Sequence, residues 1–183
     1  MFLTYTSLTD VEKFHNRHQS SEDQLRYGPT LFMRERAAYE RLNEQGLCER
    51  GIVPRYYGHL DRLDPESWSR QLDAFSQDPQ WPSAIFIEYI PDMKMLDLGT
   101  YSRSHMIHFV ENLRLIHGAN IEHGDPMPRN MMVSKERVIW IDFDHAVTYD
   151  LLALPADAGE RLDHEMQLAV ELDDVLVSML DQV

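Results

Sequence analysis

The chain holds one cysteine, Cys48, in 183 residues. That excludes an internal disulfide framework and any cysteine-based zinc cluster. No glycine precedes Gly28, so the N-terminal segment has no means of forming a glycine-rich phosphate loop. Positive charge is scarce too: 17 Lys and Arg face 31 Asp and Glu, a formal net charge of −14. Nucleic-acid phosphates require a basic face, and an anionic membrane surface repels this balance. No apolar run approaches the roughly eighteen residues of a membrane span. The opening Met1-Phe2-Leu3-Thr4-Tyr5-Thr6 lacks the basic and apolar regions of a secretory signal, and no Asn-x-Ser/Thr acceptor occurs. The expectation is an acidic, soluble, cytoplasmic protein. What is present supports a folded core, since 43% of residues are hydrophobic and 10% aromatic. The length fits a single domain, residues 1–183.

Period-two spacing of Phe2, Thr4 and Thr6, then of Val11 and Lys13, predicts two short strands in residues 1–14. Residues 15–28 are polar and read as a loop. Pro29 suits the first position of a helix running to Gly46, with Phe32, Glu35, Tyr39 and Leu42 on one face. A strand over Arg55–Leu60 precedes an Asp-, Pro-, Ser- and Gln-rich stretch, 61–83, that reads as a surface insertion. Ala84–Ile90 reads as a buried strand ended by Pro91. Helical spacing returns at Met106, Val110, Leu113 and Ile116. Met131–Val133 and Val138–Ile141 predict a hairpin. From Gly159 on, Leu162, Met166, Ala169, Leu172, Leu176 and Met179 share one stripe of a closing helix.

The chemistry concentrates in His123-Gly124-Asp125-Pro126-Met127-Pro128-Arg129-Asn130, ahead of the hairpin, and in Asp142-Phe143-Asp144 at its exit. A carboxylate at Asp125 beside a hydroxyl can take its proton. The Asn130 amide oxygen and the Asp142 carboxylate are hard ligands suited to Mg²⁺. Such a set serves phosphoryl transfer, where positioning and charge neutralisation do most of the work.

These residues resemble the protein-kinase-like superfamily, in particular its aminoglycoside phosphotransferase and choline-kinase-like branch. His123-Gly124-Asp125 with Pro128 and Asn130 is similar to that branch's H-G-D-x-x-P-x-N loop, and Ile141-Asp142-Phe143 to the metal-binding Asp that follows it. Met127 stands where eukaryotic protein kinases usually carry Lys, and no A-P-E segment follows, so the resemblance is to a small-molecule kinase. It implies an α+β, two-lobed fold: an abbreviated antiparallel sheet in residues 1–90 and a mainly helical lobe, 91–183, carrying the catalytic loop. It implies ATP and Mg²⁺ as cofactors, Asp125 as the catalytic residue with His123 supporting its loop, and Asn130 and Asp142 on the metal. Glu88, Tyr89 and Ile90 would be the hinge whose backbone meets adenine, and Glu35 would pair with Lys13 at the phosphates.

The chain departs from that pattern in its missing glycine loop and in Asp144, where the metal motif ordinarily has Gly. A kinase-fold protein without catalysis, binding a nucleotide, a metabolite or a partner protein, is therefore the alternative to a phosphotransferase acting on a small hydroxylated acceptor. Two further readings explain less. A haloacid-dehalogenase-type phosphatase around Asp142 and Asp144 needs more sheet downstream and leaves the His-Gly-Asp loop idle. A metal hydrolase on His117, His123, Asp125, Asp142 and His145 has suitable ligands but no i, i+4 pair.

Overall fold

The structure is a computed structural model. It describes residues 2–6, 21–68, 72–77, 81–135 and 137–181, with backbone alone over 2–6 and 21–30. The fold is mixed α+β, with three long helices and small antiparallel sheets among these residues.

Helix α1, Ser21–Glu44, starts eight residues ahead of Pro29, so 21–28 are helix rather than loop. Ser21-Glu22-Asp23 is itself a helix-start signature, because acids in a first turn complement the positive end of the helix dipole. Proline costs one backbone hydrogen bond inside a helix without forbidding it. The C-terminus behaves as expected. Gly46, at φ +72, lets its own N–H reach the Asn43 carbonyl at 3.0 Å and the Leu47 N–H reach Leu42 at 2.9 Å, the Schellman pattern. Phe32, Glu35, Tyr39 and Leu42 form one buried face.

That face packs on a three-stranded sheet of β1 (Phe2–Thr6), β2 (Tyr56–Leu60) and β3 (Ser83–Ile87), ordered β1-β3-β2 and antiparallel throughout. The second expected N-terminal strand, at Val11 and Lys13, lies outside the described residues. Strand β3 stops at Ile87, short of the expected Ile90, because the chain turns through Pro91 and Asp92, the latter at φ 58. The 61–83 stretch is more than surface: Leu63, Leu72 and Phe75 bury themselves with Ala84 in a small cluster of their own.

The remainder is built on α2, Arg103–Gly118, capped by the Ser102 hydroxyl, which accepts the His105 N–H at 3.1 Å. It buries Met106, Phe109, Leu113 and Ile116, with Val110 half-buried beside Phe109. The expected hairpin forms as β6 (Met131–Val133) and β7 (Val138–Trp140), extended by β4 (Lys94–Met95) in the order β4-β6-β7. A two-residue pair, β5 (Ile121–Glu122) and β8 (Val147–Thr148), brackets the catalytic-loop candidate. Helix α3, Ala158–Leu180, closes the fold. Ala169 and Leu176 are buried and Leu162, Met166 and Leu172 half-buried, but Met179 is exposed. One apolar core runs from Phe32 on α1 through Ile85, Leu113 and Trp140 to Leu176 on α3. Arg41 fastens α1 across it, donating at 3.2 Å to the carbonyls of Ala119 and Tyr149. No helix among the described residues is long and apolar enough to cross a membrane.

Candidate functional site

Strand β5 delivers His123 into the core, where the ring is fully buried between Trp140 and Phe143, with ring centres 5.1 and 4.6 Å away. Its Nε2 lies 3.0 Å from the Ile141 carbonyl. A carbonyl only accepts, so Nε2 carries the proton and Nδ1 the lone pair. Burial pushes the His123 pKa below its usual value, so the ring is neutral at pH 7. Nδ1 has no hydrogen-bond partner among the described residues. A neutral, buried ring tied to the opposite loop positions rather than abstracts protons.

The loop is held from α3. Glu165, 4% exposed, accepts the backbone N–H groups of His123 at 2.9 Å and Gly124 at 2.7 Å, and its Oε2 lies 2.7 Å from His117 Nε2. Burial raises the Glu165 pKa, but these donors outweigh it and hold the carboxyl below its usual range. Gly124 is required here on two counts: its φ is +80, and a Cβ would lie 2.2 Å from the His145 carbonyl oxygen. The catalytic-loop candidate and the loop after β7 thus touch backbone to backbone.

Asp125 follows, its side chain 15% exposed. Its Oδ2 accepts from Asn130 Nδ2 at 2.7 Å and from Arg129 Nη2 at 2.6 Å. Asn130 sits at the end of a 3₁₀ turn, Pro128–Asn130, started by Pro128. It is buried, its Nδ2 also reaches the Asp125 carbonyl at 3.0 Å, and its own carbonyl accepts the Ile141 N–H at 3.1 Å. With the amide nitrogen spent on Asp125, the amide oxygen is the end able to serve a cation.

Asp142 adopts φ 66, a left-handed conformation uncommon for a residue with a side chain. Partial burial and the neighbouring charge and hydrogen bond of Asp144 push its pKa up to about 6, and Asp125 adds to the push. Asp144 goes the other way. Burial raises it, but the hydrogen bond and charge of His145, 2.5 Å away, and the hydrogen bond with Asp142 carry it below the usual range. Two carboxyls that compete for one proton are a good match for a divalent cation.

The expected site residues are partly brought together. His123, Asp125, Asn130 and Asp142 converge on two loops joined through Ile141. Glu35 is buried on α1 one turn before Tyr39, whose ring meets Phe143 edge-on at 5.5 Å. Lys13 lies outside the described residues, and so does its pairing with Glu35. Glu88 has structural duties: its N–H donates to the Arg55 carbonyl at 2.8 Å, and its carboxylate accepts from Arg55 N–H and from Arg137. Tyr89 is exposed, while Ile90 is buried and borders a cleft with Glu88, Pro91 and Lys135. His117 and His123 turn to Glu165 and Ile141, and among the described residues no three His, Cys, Asp or Glu side chains gather on one point. The metal-hydrolase reading loses its ligands there. Glu165 was missed by the sequence reading, which quoted Arg129 without a role and named Asp144 only as a departure from the metal motif and in the phosphatase alternative. The signal for Glu165 was a charge inside an apolar stripe, between Leu162 and Ala169.

No protein-family model matches the chain, and no curated protein sequence matches it.

Proposed function

We propose that this chain is an ATP- and Mg²⁺-dependent phosphotransferase with a two-lobed, kinase-like fold. In this reading β1–β3 with α1 form the small lobe and the rest a mainly helical lobe. The observation that carries the reading is the joining of Asp125, Asn130 and Asp142 through the His123–Ile141 and Ile141–Asn130 hydrogen bonds. Mg²⁺ fits the donors present: two carboxyls and an amide oxygen leave coordination positions for phosphate and water, as this small hard cation prefers. Asn130, Asp142 and Asp144 would hold it, and it would supply charge neutralisation at the phosphates.

The chain's own residues then have distinct tasks. Asp125 orients the acceptor hydroxyl and takes its proton as the new bond to phosphorus forms and the bond to the departing diphosphate breaks. Asn130 fixes the Asp125 carboxylate, and neutral His123 fixes the loop. Glu88, Tyr89 and Ile90 would border the adenine, and Glu35 with Lys13 the phosphates. A net charge of −14 favours a cationic small acceptor over a polyanionic one.

Asp125→Asn tests this reading, because it keeps shape and most hydrogen bonding while removing the proton acceptor. Turnover on a panel of hydroxylated cationic metabolites should fall by about 10² to 10⁴, with nucleotide affinity little changed. Wild-type chain with no transfer to any acceptor, and no ATPase above the variant, would favour the non-catalytic alternative, a module that binds a nucleotide, a metabolite or a partner protein.

A further inference from the structure

Arg129 is the one charged side chain of the catalytic-loop candidate to which the roles above give no task. Its guanidinium sits 2.6 Å from Asp125 Oδ2, yet its side chain is 58% exposed. A catalytic carboxylate has no use for a permanent ion pair on the oxygen that would meet the acceptor hydroxyl, because the guanidinium occupies that oxygen. The carboxylate also does not need Arg129 to stay in place, because Asn130 holds the same oxygen at 2.7 Å from a buried position. An exposed ion pair of this kind is weak and exchanges readily.

We propose that Arg129 is a phosphate-recognising residue that selects a nucleoside triphosphate over a diphosphate. The proposal rests on the phosphotransferase reading and deepens it. Arg129 is anchored one residue before Asn130 and touches Asp125, so its cation stands beside the acceptor-binding carboxylate. That is where the terminal phosphate has to lie for Asp125 to serve a hydroxyl attacking it. The planar fork of a guanidinium matches two phosphate oxygens at once, which a lysine ammonium does not. Asp125, Asp142 and Asp144 line the same region, so a terminal phosphate needs a positive counterpart there besides the metal. With phosphate present, Arg129 exchanges Asp125 for it and frees the carboxylate to take a proton.

The test is the ratio of MgATP to MgADP affinity, read by calorimetry on the full chain, with no turnover required. Wild type should prefer MgATP by about tenfold or more, the size of one charge-assisted hydrogen bond. Arg129→Gln should bring the ratio close to one with MgADP affinity unchanged, and Arg129→Lys should restore part of it. Since Asn130 still holds Asp125, both variants should melt within a few degrees of wild type. A wild-type preference that survives intact in Arg129→Gln and Arg129→Lys overturns the assignment and leaves the phosphotransferase reading standing. Wild-type chain that binds neither nucleotide overturns both.

Discussion

Among the described residues, Glu165 ties the catalytic-loop candidate to α3. Its carboxylate, buried on α3, terminates two backbone N–H groups of the catalytic-loop candidate and meets His117. Glu165→Gln leaves at least one of those donors without an anionic acceptor and should cost on the order of 3 kcal/mol in denaturant unfolding. Its folded-state pKa lies below the ordinary 4.5, so its stabilisation is complete above that pH and fades as the pH falls through the lowered folded value. Acid titration of stability should therefore be shallower in Glu165→Gln than in wild type, and equal slopes would deny the carboxylate this role. At this scale the sequence was informative where spacing encodes chemistry. His123, Asp125, Asn130 and Asp142 were visible together because one short loop and one hairpin fix their separation. Glu165, some forty residues on, was not, because only tertiary contact brings it to the loop.

Among the elements, an aromatic column links the small sheet to the catalytic-loop candidate. Tyr56 on β2 stacks on Tyr39 of α1 at 5.8 Å, Tyr39 meets Phe143, and Phe143 packs on His123. Removing a ring from its middle should be severe: Tyr39→Ala or Phe143→Ala should cost about 3–5 kcal/mol by cavity formation. Tyr39→Phe separates ring from hydroxyl. The hydroxyl is buried without a hydrogen-bond partner among the described residues, and burial first, then Glu35, pushes its pKa well above the usual value. Deleting it should leave stability unchanged or raise it by up to about 1 kcal/mol; a loss larger than that in thermal unfolding would show that the hydroxyl has a partner. The buried face that builds this column was legible in the spacing Phe32, Glu35, Tyr39, Leu42. The helix start was not, because a proline in the ninth position of α1 carries the same signal as one in the first.

For the whole molecule, the paired carboxyls Asp142 and Asp144 would set a pH limit on the proposed metal-dependent activity. Asp142 must be ionised to hold a cation, and its pKa is pushed up to about 6, chiefly by partial burial and by Asp144. In the proposed reading Mg²⁺ would meet an anion above that value and compete with a proton below it. The Mg²⁺-dependent part of nucleotide affinity should therefore drop by up to about tenfold per pH unit below 6 and be flat above 7. Asp144→Asn removes the neighbouring charge and should move the break to lower pH.

The phosphotransferase reading requires Asn130 and Asp142 to make a metal-dependent nucleotide site. Calorimetric titration of the chain with ATP, with and without Mg²⁺, and of Asp142→Asn with both present, tests it most directly. Saturable binding with Mg²⁺ is expected, weakening about tenfold or more when either the metal or the Asp142 carboxylate is removed. Absence of any binding at millimolar ATP with Mg²⁺ present, or equal affinity under all three conditions, would contradict it.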